Sequence, residues 1–317
     1  MQFKGYHRLK AIGQRRRLAG LLFLFVIAAA GFAVYASASI FVRAGTHPDA
    51  AQCMASPPSA ETWGDTGRAA HDGMILVPAG AIAPHDFWLD AREVSVDDFN
   101  AFIALTNYRT TAECFGSGAV MTIGTGAWGL REGADFRHPQ GPSGPEAPAD
   151  HPVTQVSYAD AAAYCRWRGA RLPSESEFEA AMQSGTTTAR EHAFEGEVDH
   201  NGTFMANVWT GLFPVLNDEA DGFLYTAPVK SYPPTGLGFY DLSGNVWEWT
   251  QSWYDPGADQ PGFTPSPLSE KVQKGGSFLC AQAVCHGYRA VARGHATPDS
   301  SHFHVGFRCA ADARTGG

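Results

Sequence analysis

Cys280 and Cys285, separated by four residues, are the side chains in this sequence best placed to do chemistry. As thiolates they are soft sulfur ligands suited to Cu(I). As an oxidised pair they would be an ordinary disulfide, and their spacing alone leaves both readings open. Cys53, Cys114, Cys165 and Cys309 bring the cysteines to six, a number that permits disulfides without dictating which pair. His302 and His304 alternate, a pattern found on one side of a strand as readily as around an ion.

These residues are expected to work outside the cytoplasm. Lys4, Arg8, Lys10, Arg15, Arg16 and Arg17 make the first seventeen residues basic, and the run from Leu18 to Val42 carries no Asp, Glu, Lys or Arg. About 20 apolar residues cross a bilayer as a helix, which makes 18–42 a transmembrane signal anchor with 1–17 in the cytoplasm and the rest extracytoplasmic, periplasmic or extracellular. A cleaved signal peptide ending near Ala36-Ser37-Ala38 is the alternative, and it exports the body equally. Without those six basic residues, 17 of the 23 Lys and Arg face 32 acids. So acidic a body excludes nucleic acid as a partner. Residues 43–73, rich in Ala, Pro, Ser, Gly and Asp, read as a linker, and 74–314 as one folded unit with no internal repeat.

Three helices are marked by a Ser whose hydroxyl can cap the first turn and an acid three residues on that can reach back. They start at Ser95, Ser157 and Ser174. The first carries Phe99, Phe102 and Ile103 on one face, and the second stops at Gly169. Elsewhere the chain is rich in Gly, Pro and aromatic residues, with short apolar runs such as 74–77. That composition predicts an α+β fold of short strands and long ordered loops. Such loops usually need a clamp.

The segments His151-Pro152-Val153-Thr154-Gln155-Val156-Ser157, Arg171-Leu172-Pro173-Ser174-Glu175 and Gly244-Asn245-Val246-Trp247-Glu248-Trp249 resemble the sulfatase-modifying-factor family. Lys274-Gly275-Gly276-Ser277-Phe278-Leu279-Cys280, Thr297-Pro298-Asp299-Ser300-Ser301 and Gly306-Phe307-Arg308-Cys309 are similar to the catalytic part of its formylglycine-generating enzymes. The resemblance implies a C-type-lectin-like topology with little regular secondary structure. It also implies a copper-dependent oxidase in which Cys280 and Cys285 hold Cu(I), and a client cysteine in Cys-x-Pro-x-Arg becomes formylglycine at the expense of O2 and a thiol reductant.

The same resemblance assigns Ser277 to the catalytic pocket and Trp247, Arg293 and His304 to its substrate-lining wall. It implies two calcium sites, one from Asn207, Asp221 and the carbonyls of Val208 and Phe223, the other from Asp241, Glu248 and the carbonyls of Gly244 and Val246. Taken singly, each of these acids reads as a solvated carboxylate. Cys165 and Cys309 match a disulfide of eukaryotic members, whereas Met182 and Ala290 stand where those members have a second bridge. Two rival functions share the fold. Iron-dependent sulfoxide synthases carry an upstream helical domain that the anchor here replaces. Non-oxidase exported members, acting in siderophore maturation or in binding, generally lack the cysteine pair.

Overall fold

The computed structural model describes residues 71–184, 199–200, 202–258 and 260–313. Among them no helix is long and apolar enough to cross a membrane. The expected span at 18–42 and most of the linker, with Cys53, lie outside the described residues.

Four short helices are present among the described residues: α1 (Val96–Thr106), α2 (Thr111–Phe115), α3 (Tyr158–Trp167) and α4 (Glu175–Gln183). Ser95, Ser157 and Ser174 cap α1, α3 and α4, each with a complete capping box closed by Asp98, Asp160 and Glu177. The extra helix α2 is closed the same way by Thr110 and Glu113. The signature was in the sequence, but five residues of helix present too little apolar periodicity to expose it.

Among the described residues thirteen short strands join them. The first, β1 (Met74–Val77), and β2 (Phe87–Asp90) lie early; then come β3 (Ser117–Thr122), β4 (Ala127–Glu132), β5 (Asp199–His200), β6 (Thr203–Phe204), β7 (Gly211–Leu212) and β8 (Leu216–Asn217). The last five are β9 (Trp247–Trp253), β10 (Lys271–Lys274), β11 (Gly294–Ala296), β12 (Val305–Gly306) and β13 (Ala310–Asp312). One sheet runs β1-β2-β13, another β11-β10-β9-β12, and three hairpins stand apart. In the second sheet β12 pairs parallel with β9, setting Val305 beside Trp247 and Gly306 beside Glu248.

The main core gathers Phe99 and Phe102 of α1, Tyr164 and Trp167 of α3, Trp249 of β9 and Phe307. Ring pairs such as Phe99–Tyr164 at 5.8 Å and Tyr164–Phe307 at 5.3 Å fill it. Each such pair adds roughly 0.5–1.5 kcal/mol beyond area burial. Cys165 and Cys309 form a disulfide inside this core, joining α3 to the chain end 144 residues later. Met182 and Ala290, both buried, meet in a second cluster with Phe178 and Phe239, so apolar packing stands where a second bridge would have been.

Candidate active site

The loop that carries the thiols is closed at its base by backbone contacts. Gly244 N–H donates to Gly275 O (2.8 Å), and Phe278 N–H donates to Asn245 O (2.9 Å), fastening the loop to the segment that precedes β9. Gly276 has φ +75°, and a β-carbon there would stand 2.5 Å from Tyr288 N. Only glycine permits that approach, which brings both ends of the loop together. Ser243 Oγ donates to Tyr288 O and holds the far end.

Within the loop, Cys280 N–H donates to Ser277 O and Cys285 N–H to Ala281 O, both at 2.8 Å. These turns place the two sulfurs 2.9 Å apart as free thiols, Cys280 buried and Cys285 half-buried. The hydrogen bond from Cys280 lowers the Cys285 thiol below the ordinary range against the opposing effect of burial. That same bond, reinforced by burial, pushes Cys280 well up. Cys285 is therefore the more acidic of the two thiols, and the Gly287 amide hydrogen-bonds both of them.

Trp247 closes one side. A β-carbon at Gly287 would lie 2.5 Å from Trp247 Cζ2 and 2.7 Å from Cys280 Sγ, so indole and sulfur meet over this glycine. Ser277 is fully buried, and its Oγ accepts from Leu279 N at 3.3 Å, which orders the turn before Cys280. His304 accepts from Trp247 N through its carbonyl (3.0 Å) and packs its ring on Trp128 at 5.1 Å. His302 and His304 precede β12 rather than lying on a strand, and both rings touch Trp128. Burial lowers His302 to about 4 and His304 well below the ordinary value, so both are neutral near pH 7. Arg293 is engaged elsewhere, bidentate on Glu175 (2.7 and 2.9 Å) and stacked over Tyr254.

Of the residues assigned to the first calcium site, Asp221 accepts from Val208 N and Phe223 N. Asn207 Oδ1 is buried without a partner, while its amide donates to Tyr225 O and Asn245 Oδ1. An orphaned buried oxygen beside a carboxylate fits a hard cation that takes oxygen ligands. At the second set, Asp241 Oδ1 is likewise unpartnered, and burial raises Asp241 to about 6. Glu248 differs, because both its oxygens accept from Arg308 at 2.7 Å. Glu93, which carries no local signal in the sequence, joins this buried cluster through Asn245 Nδ2 (2.9 Å) and leaves Oε1 without a partner. The residues present thus fit the first calcium site better than the second. Among the described residues no group of three or more His, Cys, Asp or Glu could hold a metal. Two thiolates fall below that count, and they remain a suitable donor set for Cu(I). Cys114 is disulfide-bonded and is not a further free thiol.

Residues 36–313 match the sulfatase-modifying factor enzyme 1-like domain, and the chain belongs to that family, with its mixed α/β fold of few helices. It is 41% identical over 255 residues to the formylglycine-generating enzyme of Mus musculus, covering 74% of this chain and 68% of that one. To the formylglycine-generating enzyme of Streptomyces coelicolor it is 40% identical over 256 residues, with 74% and 81% covered. Its fold is similar to that of PvdO from Pseudomonas aeruginosa, with a TM-score of 0.52, 20% identity, and 76% and 90% of the two chains covered.

Proposed function

We propose that this protein converts a cysteine of a sulfatase-type client, presented in a Cys-x-Pro-x-Arg segment, into formylglycine, with O2 as oxidant and a thiol as reductant. The observation that carries this reading is the free Cys280–Cys285 pair, 2.9 Å apart beneath Trp247, in a chain whose relatives bear the enzyme's name. The balance is closed when the client thiol R-CH2-SH, O2 and two hydrogens from the thiol reductant give the aldehyde R-CHO, hydrogen sulfide and water, the reductant leaving as its disulfide.

Cys280 and Cys285 would hold Cu(I), which when bound supplies the means of activating O2 beside the client thiol. The chain's own residues prepare that place. The more acidic Cys285 faces the half-open side, where a client thiol can approach, while Cys280 is sealed beneath it. Gly287 N–H fixes the direction of both sulfurs, and Trp247 keeps water from one face of the pair. The buried Ser277 turn sets the position of Cys280. Asn207 and Asp221, with the carbonyls of Val208 and Phe223, would hold calcium, which would stiffen the segment leading to Trp209 and so to the thiol loop. Asp241 and Glu248, with the carbonyls of Gly244 and Val246, remain the second calcium proposal. The unpartnered Asp241 oxygen favours it, and the commitment of Glu248 to Arg308 weighs against it. Anchoring through residues 18–42, with the catalytic domain outside the cytoplasm, completes the proposal.

Mass spectrometry of a Cys-x-Pro-x-Arg peptide after incubation with the full-length chain, Cu(I), O2 and a thiol reductant tests it. The expected product is the aldehyde. An unmodified peptide, with copper shown to be bound, refutes the activity.

A further inference from the structure

The hairpin of β7 and β8 is divided by the alternation of its side chains. Phe213 turns inward and packs edge-on against Trp209 at 5.1 Å, and Asn217 is buried, its Oδ1 accepting from the Thr210 amide. Leu212 and Leu216 are direct cross-strand partners and so share the opposite face. They are 65% and 59% exposed, with Val215 beside them at 56%. Three large apolar side chains contiguous on one short hairpin form a patch that an isolated surface leucine does not.

This patch is continuous with the thiol loop. Trp209 N–H donates to Cys280 O at 3.2 Å, and Trp209 bridges Ala281 in parallel, so the hairpin grows directly from the backbone that carries the sulfurs. From Val208 to Val229 there is no Lys, Arg or His, and Asp218 and Glu219 are exposed immediately after β8. The surface is apolar with an acidic border. Such a border disfavours the anionic face of a bilayer and complements a polypeptide that carries both apolar residues and the Arg of Cys-x-Pro-x-Arg.

We infer that the Leu212–Val215–Leu216 face docks an apolar segment of the client polypeptide flanking the cysteine to be modified. The inference rests on the proposed activity for the identity of the client, and it adds a contact outside the pocket that reads the residues flanking the client cysteine.

The test compares two labelled peptides with the same Cys-x-Pro-x-Arg core, one flanked by Leu and Val and the other by Ser and Gly. Binding to the full-length chain in detergent is read by fluorescence anisotropy without O2, so that it does not depend on turnover. The apolar-flanked peptide should bind about tenfold tighter, a difference of the size that partial burial of two leucines supplies. Leu212→Ser with Leu216→Ser should abolish that preference while leaving the Ser-flanked peptide unchanged, and Leu212→Met with Leu216→Met should keep it. Equal binding of the two peptides, or a loss that affects both alike, overturns the inference. So does hydrogen exchange showing residues 211–217 protected by nanodisc lipid and not by peptide. Binding that follows the flank in a chain that never forms aldehyde would refute the activity and leave the docking face standing.

Discussion

Glu248 and Arg308, both fully buried, are joined by two hydrogen bonds of 2.7 Å, from Nε and Nη2 of the guanidinium. The same Nη2 reaches the carbonyls of Tyr240 (3.0 Å) and Asp241 (3.3 Å), so one side chain ties the end of the chain to the segment leading into β9. Removing one partner of a buried pair leaves an uncompensated charge, at a cost of about 3–5 kcal/mol. Glu248→Gln should therefore lower the melting temperature sharply whether or not calcium is present. If the loss of stability appears only in the presence of calcium, Glu248 serves as a metal ligand first and as the partner of Arg308 second.

Calcium should stabilise the domain through Asn207 and Asp221, because a ligand that binds only the folded state raises stability with its concentration. Chelation should lower the melting temperature, and Asn207→Ala or Asp221→Ala should remove the response. A metal-analysed, chelated sample that melts unchanged would dismiss this site.

The two cysteine pairs should separate under substitution. Cys280→Ser or Cys285→Ser replaces a soft thiolate by a hydroxyl that is neutral at pH 7, so Cu(I) binding and aldehyde formation should collapse while the melt changes little. Cys165→Ala or Cys309→Ala should cost about 2–5 kcal/mol and leave Cu(I) affinity intact in the folded fraction. Measuring copper affinity beside thermal melts in all four variants decides it. Cys280 and Cys285 variants that lose mainly stability would make that pair structural.

Gly276→Ala should act on the site without touching a sulfur. The added β-carbon meets Tyr288 N at 2.5 Å from a backbone with φ +75°, so the base of the loop must open. The expected result is a loss of Cu(I) affinity of at least about tenfold, equivalent to about 1.4 kcal/mol of misplacement. Unchanged affinity would show that the loop base does not position the thiols.

Acid should weaken α1 through Asp98. Burial alone would raise this carboxyl, but the 2.7 Å bond from Arg92 and the bonds from Ser95 overcome it and hold the group at about 2. A depressed carboxyl stabilises the fold fully above its unfolded value, about 3.9, and that contribution disappears as pH falls toward 2. Asp98→Asn should flatten the stability profile between about pH 4 and 2. An unaltered acid limb in urea melts would rule the residue out as a contributor.

If residues 18–42 anchor the chain as proposed, a reporter fused after Gly317 should be found outside the cytoplasm. A cytoplasmic, protease-protected C-terminus in intact cells would refute that topology.

What the sequence determined by itself is local. Ser95, Ser157 and Ser174 announced their helices because a capping box is made by residues three apart and needs nothing distant. The cysteine pair was visible for the same reason, since one short loop of chain holds both sulfurs. The tertiary structure alone decided what those groups became. Cys280 and Cys285 are set where they are because Gly276 lets the loop close on Tyr288 and Gly287 admits Trp247, contacts that spacing does not encode. Glu248, read as a calcium ligand, is committed to Arg308 sixty positions away, and Glu93 reaches the same cluster through Asn245 from 152 positions away. Burial sets the chemistry of these carboxylates, and burial is a property of the assembled core that no short stretch of sequence carries.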